Sequence, residues 1–304
     1  GVSYIGGRRF GFGARRRQAD YGQCHVSFRG VCNPEHLPGQ FLMSACRANT
    51  RGFTLVEMIT VIIVLSVVAT IGSNFIISSL NSYNQIQTRS KLINTSRQAL
   101  ERITRQIRGA LPHSVRETNT EQCLEFLPVS GGGNYLASLP DVANGAAGTL
   151  SFAVANHGED FGTAAHVAVG ALAAAELYGA GAGSLAGLAG RSANLVTLSA
   201  VKIWLRNSIN ARFYLLNKPQ AFCVVGRELR FYQNLDVTAG SVPGLANDCA
   251  GANCQVMANN VAAIDVSLAG GTEDRNTKVT IAISFEEGGE TAAFQQEVLI
   301  RNVP

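Results

Sequence analysis

The chain is 304 residues long, 46% hydrophobic and 15% charged, with a formal net charge of +4. That balance suits one globular domain plus a membrane segment and argues against two soluble domains. The positive charge sits in the first 52 residues, with eight Lys/Arg and two acids; the remainder holds 17 basic and 19 acidic residues and no basic tract of the kind that binds nucleic acid.

Residues 1–42 cluster glycine with arginine (GGRRFGFGARRR) and show neither helical nor strand period. The first methionine is Met43, and the stretch before it is expected to lie upstream of the start, outside the fold. Residues 43–52 (MSACRANTRG) are short and basic and end on Gly52. From Phe53 to Ile77 the chain is almost wholly apolar, long enough to span a bilayer as a helix of ~20 residues. Arg47 and Arg51 precede it, and no basic residue follows before Arg89. The positive-inside rule then keeps the leading end in the cytoplasm and sends the C-terminal bulk across the membrane. One ionisable group, Glu57, interrupts the run. A carboxylate in lipid costs at least ~2.5 kcal/mol and marks a functional position by default.

The order G-F-T-L-V-E ahead of an apolar run, residues 52–57, resembles the processing site of type IV pilins and of type II secretion pseudopilins. An ordinary signal anchor accounts for the apolar run but not for the glutamate or the Gly-Phe junction. The resemblance implies that residues 43–52 are a prepilin leader and that a prepilin peptidase cuts between Gly52 and Phe53. It also implies methylation of the new N-terminus, Phe53. Such a subunit waits in the inner membrane and is drawn by an assembly platform into a fibre of packed helices. Its partners are membrane lipid, the peptidase, the platform, and other major and minor pilins. Glu57 is implied to pair with the N-terminal amine of a neighbour's Phe53, a group that cleavage creates.

Ile76, Leu80, Tyr83, Ile86, Ile93, Leu100, Ile103 and Ile107 recur at spacings of three, four or seven. This predicts one apolar stripe on a helix from Phe53 to Leu111, its half from Tyr83 onward packed on the protein's own sheet. Glu101 and Arg105 stand at an i,i+4 spacing on another face, and Gly109 and Pro112 mark the end. Beyond Pro112 the pattern changes to strands: Gln122–Val129, Thr149–Val154, Leu195–Leu205, Ala211–Leu216, Gln220–Val225, Glu228–Tyr232, Val261–Leu268, Lys278–Phe285 and Ala293–Ile300. The turn at Gly226-Arg227 predicts a hairpin. Residues 166–190 are Ala/Gly-rich and read as a long loop with one short helix around Leu172–Leu177. The expected fold is α+β: a long N-terminal transmembrane helix, then a pilin-like antiparallel β domain over residues 112–304.

Cys24, Cys32 and Cys46 precede Gly52; Cys123, Cys223, Cys249 and Cys254 follow it. An even number in a domain expected on the oxidising side of a membrane favours disulfides. Cys249 and Cys254 enclose only A-G-A-N and can pair locally, which leaves Cys123 with Cys223, each in a strand-like run. A structural zinc site is the alternative; the loose C-x4-C spacing and the lack of a nearby histidine speak against it.

No catalytic pattern emerges. His113, His157 and His166 form no H-E-x-x-H, and Ser184 in GAGSLAG lacks the glycine two residues on that a nucleophile elbow requires. A calcium ion would find only Asp248 or Glu273 and Asp274. The expectation is a non-enzymatic protein without a cofactor. Residues 97–116, CLEFLPV (123–129), AFCVVGRELRFYQ (221–233) and IRNVP (300–304) resemble the MshO type of minor pilin of the mannose-sensitive haemagglutinin (MSHA) pilus. That type is a larger relative of the J-type minor pseudopilin. The narrower resemblance implies a minor subunit that helps start the fibre and sits at or near its tip. A type II secretion pseudopilin is the alternative, and a membrane-anchored periplasmic enzyme the third reading.

Overall fold

The computed structural model describes residues 52–300 except 121, 146, 156–161, 246–248, 250 and 270–276. The chain divides into two units, residues 1–61 and 62–304. Of the first, the described part has no regular structure at residues 52–54 and then enters helix.

Helix α1 runs from Leu55 to Arg108, 54 residues or about 80 Å at ~1.5 Å per residue. It starts two residues later than expected because Thr54 caps it: its Oγ1 accepts the Glu57 N–H at 3.2 Å. It ends three residues early, the final turn tightening as Gly109 and Ala110 donate to the carbonyls of Gln106 and Ile107. Pro112 has no N–H with which to continue.

The single apolar stripe is corrected by the structure. Burial begins at Leu92 and continues through Ala99, Leu100, Ile103 and Ile107, whereas Tyr83 is 59% and Ile86 68% exposed. Spacings of three, four and seven drift at about 100° per residue, so Tyr83 and Ile103 stand on nearly opposite sides.

The strands are β1 (Arg116–Thr118), β2 (Cys123–Phe126), β3 (Val129–Asn134), β4 (Thr149–Ala153), β5 (His166–Val169), β6 (Leu185–Arg191), β7 (Leu195–Lys202), β8 (Arg212–Leu216), β9 (Gln220–Val225), β10 (Glu228–Tyr232), β11 (Cys254–Asn259), β12 (Val261–Ala269), β13 (Thr277–Glu287) and β14 (Glu290–Ile300). They form a five-stranded sheet β1-β2-β9-β10-β11, a three-stranded sheet β12-β13-β14 and a six-stranded sheet β3-β8-β5-β6-β7-β4. All strand pairs are antiparallel. The β9–β10 hairpin turns at Gly226, whose φ of 61° suits a residue without a Cβ.

The Ala/Gly stretch is the largest departure from expectation. Its two ends form β5 and β6, whereas residues 170–184 between them are a loop, in which the expected helix shrinks to a 3-10 turn at Ala174–Glu176. Small side chains are used there for close packing. A Cβ on Gly187 would collide with Ser199 Oγ on the neighbouring β7, so glycine serves the sheet rather than mobility. The run Gln122–Val129 also splits at Leu127-Pro128 into β2 and β3, which enter different sheets.

The buried face of α1 shares one core with the five- and three-stranded sheets, through Ile103, Phe126, Phe222, Ile281 and Phe285 among others. The six-stranded sheet has its own aromatic core, with Phe152 packed edge-on against Trp204 and Phe213. This sheet lies wholly between β2 and β9, which pair with each other from Cys123↔Cys223 to Phe126↔Gln220.

An ion pair ties the junction. Glu125 is 2% exposed and accepts from Arg116 at 2.7 Å, while the Arg116 guanidinium lies over the Tyr178 ring at 3.7 Å. Burial outweighs Arg116 and raises the Glu125 pKa. The folded state therefore holds this proton more tightly, and the contribution from Glu125 falls as pH rises from the ordinary carboxylate value through the raised one. Glu125→Ala should cost ~3 kcal/mol by leaving Arg116 without its buried partner. The urea midpoint of the detergent-solubilised chain checks this, and an unchanged midpoint would refute it.

Candidate functional site

The sequence motif sits at the exposed start of α1. A Cβ on Gly52 would meet nothing within 4 Å, so the chain's own packing makes no demand for glycine there. Phe53 is 74% exposed. Thr54 supplies the cap, and Glu57 occupies the third helical position, where the positive end of the helix dipole favours a negative charge. Thr54 and Glu57 have the T-x-x-E spacing of a capping box. The role of Thr54 escaped the sequence reading although that spacing signals it.

Between Leu55 and Ser73 every hydroxyl is returned to the helix. Thr60, Ser66, Thr70 and Ser73 donate to the carbonyls of Glu57, Ile62, Val67 and Thr70 at 2.7–2.9 Å. Such back-bonding satisfies polar groups in apolar surroundings. The Glu57 carboxylate is the polar side chain of this segment that accepts nothing within the described residues. The apolar part of α1 is long enough to cross a membrane, and none of it is covered by protein.

The remaining site residues lie in the β domain. Cys123 and Cys223 are bonded across the β2–β9 pair with Cα atoms 4.1 Å apart, and both are buried. Cys249 and Cys254 are bonded with a Cα separation of 5.3 Å. The structure thus places the cysteines in two disulfides and not in one zinc-binding group.

Nothing catalytic assembles among the described residues. No three His, Cys, Asp or Glu side chains gather in metal-binding proximity. His157, Asp248, Glu273 and Asp274 lie outside the described residues. His113 and His166 are each held below the ordinary imidazole pKa, chiefly by burial. Ser184 is buried and bonded to Glu176, which is clamped by Arg206 through two hydrogen bonds of 2.6 and 2.9 Å. That cluster ties the 3-10 turn to Ser184, just ahead of β6, and to Arg206, beyond β7.

No curated protein and no solved structure matches this chain. Residues 47–73 match the family model of the prokaryotic N-terminal methylation motif. The match spans Gly52, Phe53 and Glu57, and with one uncovered apolar helix ahead of an antiparallel β domain the chain is similar to membrane-anchored type IV pilins and pseudopilins.

Proposed function

We propose that the protein is a structural subunit of a type IV pilus, cut between Gly52 and Phe53, methylated at Phe53 and assembled through α1. The observation that carries this is the Glu57 carboxylate, without a partner among the described residues, in an apolar helix whose hydroxyls are returned to its own backbone. A free N-terminal amine on a neighbouring subunit would offset the cost of that charge in lipid, and cleavage alone creates the amine. On this reading the leader stays cytoplasmic, residues 53–77 cross the inner membrane and residues 112–304 lie in the periplasm before assembly. The domain is large for a unit repeated along a fibre. This favours a minor subunit that starts the fibre and sits near its tip, as in the MSHA system. A type II secretion pseudopilin uses the same chemistry and is separated from this by the genes that neighbour it.

Glu57→Ala should still be inserted, cleaved and folded, because the carboxylate has no hydrogen bond or ion pair among the described residues. It should lose crosslinking to partner subunits in membranes and lower the number of surface fibres at least ~10-fold, the loss of ~1.4 kcal/mol or more in an equilibrium. Normal crosslinking together with normal fibre number would remove the pairing mechanism.

A further inference from the structure

Two titratable groups with no part in assembly lie at one seam of the β domain. Separate apolar clusters fill the space beneath α1, the inside of the six-stranded sheet, and the junction between them. The junction joins Leu111, Leu127 and Val237 to Ala168, Leu177 and Leu216. Strand β5 serves two of these clusters because its side chains alternate. Val167 and Val169 belong to the aromatic core of the six-stranded sheet, and Ala168, on the opposite face, belongs to the junction. His166 shares the face of Ala168 and is the register partner of Leu216, another junction residue. The charged groups that act on His166 are Lys218 and Asp236.

His113 reaches the same seam from the other side. It follows Pro112 at the end of α1 with a φ of 64°, a left-handed conformation that residues other than glycine seldom take. Its imidazole borders a cavity of about 30 Å³, walled by Leu111 on the α1 side and by Ala168, Gly170 and Tyr214 on the other. The Nε2 atom is buried and has no hydrogen-bond partner among the described residues. Glu176 is the charged group that acts on His113, and Arg206 holds Glu176 while donating to the Gly170 carbonyl at 2.9 Å. Burial lowers the pKa of both histidines, against Glu176 at His113, and with Lys218 but against Asp236 at His166. An imidazole of the open seam therefore takes a proton more readily than one of the closed seam. Closure weakens as pH falls below the ordinary imidazole value of 6.5, and the loss is complete below the lowered one. Glu125, paired with the Arg116 that lies over Tyr178, works in the opposite sense: its raised pKa adds stability as pH falls.

We propose that the six-stranded sheet is seated on the α1-bearing sheets through a proton-sensitive seam, which opens when His113 and His166 are protonated while the clusters on either side stay packed. A charged His166 meets the like charge of Lys218, and a charged His113 holds an Nε2–H with no acceptor among the described residues, in a site that burial has stripped of water. What gives way is small: the Tyr178 hydroxyl donates to the Ser114 carbonyl at 2.9 Å, and the Gly179 N–H to the Val237 carbonyl at 3.0 Å. Because each side keeps an apolar cluster of its own, the seam can open as a local unit without global unfolding. Acid thus frees the six-stranded sheet to turn on the rest of the domain, whether or not the chain is a fibre subunit.

The test is amide hydrogen exchange on the full chain in detergent, followed at Gly179 with the intrinsic pH dependence of exchange divided out. One histidine that is neutral in the closed seam and titrates at ~6.5 in the open one shifts the opening equilibrium ~10-fold between about pH 7.5 and 5.5. Protection at Gly179 should fall by about that factor, while amides of β7 and of β13, one on each side of the seam, keep theirs. His113→Asn, which tolerates the left-handed backbone, combined with His166→Gln should flatten the response. Glu125 is common to both proteins and cancels in the comparison. Wild-type protection in β13 shows that the variant is folded; if the pair together is not, each single substitution should remove part of the fall. A wild type without the fall, a fall that survives in the variants, or β7 and β13 amides that lose protection in step with Gly179 would each overturn the proposal.

Discussion

Replacing Gly52 by valine is expected to leave the protein uncut while its fold and membrane insertion remain intact. The two halves of that result have different physical origins. Apart from its chain neighbours, no described residue lies within 4 Å of a Cβ at Gly52, so valine displaces no packed neighbour among them and the β domain is indifferent to it. A peptidase, by contrast, must bring its catalytic groups against the bond between Gly52 and Phe53. A branched side chain beside that bond displaces the reacting atoms, and misplacement by ~1 Å costs on the order of 100-fold in rate. Intact-mass measurement should find the wild type beginning at a methylated Phe53 and the variant retaining its leader. Efficient cleavage of the variant, or a wild-type N-terminus elsewhere, would remove the processing assignment.

The second large effect concerns the disulfides. Cys123–Cys223 closes a loop with a sequence separation of 100, whereas Cys249–Cys254 spans only 5. Loop-closure entropy gives ~4.7 kcal/mol for the long loop and roughly 2 for the short one. The long-range bond also joins β2 and β9, adjacent strands inside the five-stranded sheet. Alanine at both Cys123 and Cys223 should therefore lower stability by ~3–5 kcal/mol, enough to deplete folded protein in cells. Alanine at Cys249 and Cys254 should cost ~2 kcal/mol or less. Urea midpoints of the two detergent-solubilised variants decide it; an equal or larger loss from the short loop would refute the ranking.

Much of the fold was legible because local patterning and tertiary burial agree. The alternation in KVTIAISF places Val279, Ile281, Ile283 and Phe285 on one face, and all four are buried in β13. Glu228–Tyr232 was read with the bounds it has in the structure. The six-stranded sheet was half hidden. Its β5 (HVAV) and β6 (LAGLAGR) are mostly small or aliphatic residues with almost no alternation of polar and apolar, and what makes them strands is their neighbours β7 and β8. Gly131, Gly132 and Gly133 hid β3 in the same way: a Cβ on Gly132 would lie 2.6 Å from the Phe213 carbonyl, a constraint imposed by a strand some eighty residues away. At the N-terminus the chemistry was legible and the geometry was not. G-F-T-L-V-E marks the motif, but Thr54 as the cap emerges only from where the helix begins.

The position of the six-stranded sheet between two paired strands has an evolutionary consequence. Residues leave at Phe126 and return at Gln220, and these two are register partners. The intervening excursion therefore begins and ends at one point on its host. Its seam with the host includes Leu111, Leu127 and Val237 against Leu177 and Leu216, with Tyr178 beneath Arg116. A lineage can lengthen, trim or exchange the guest without altering the register of β2 on β9 or any residue of α1. Selection for what the surface meets and selection for how subunits pack can then proceed in separate stretches of one gene.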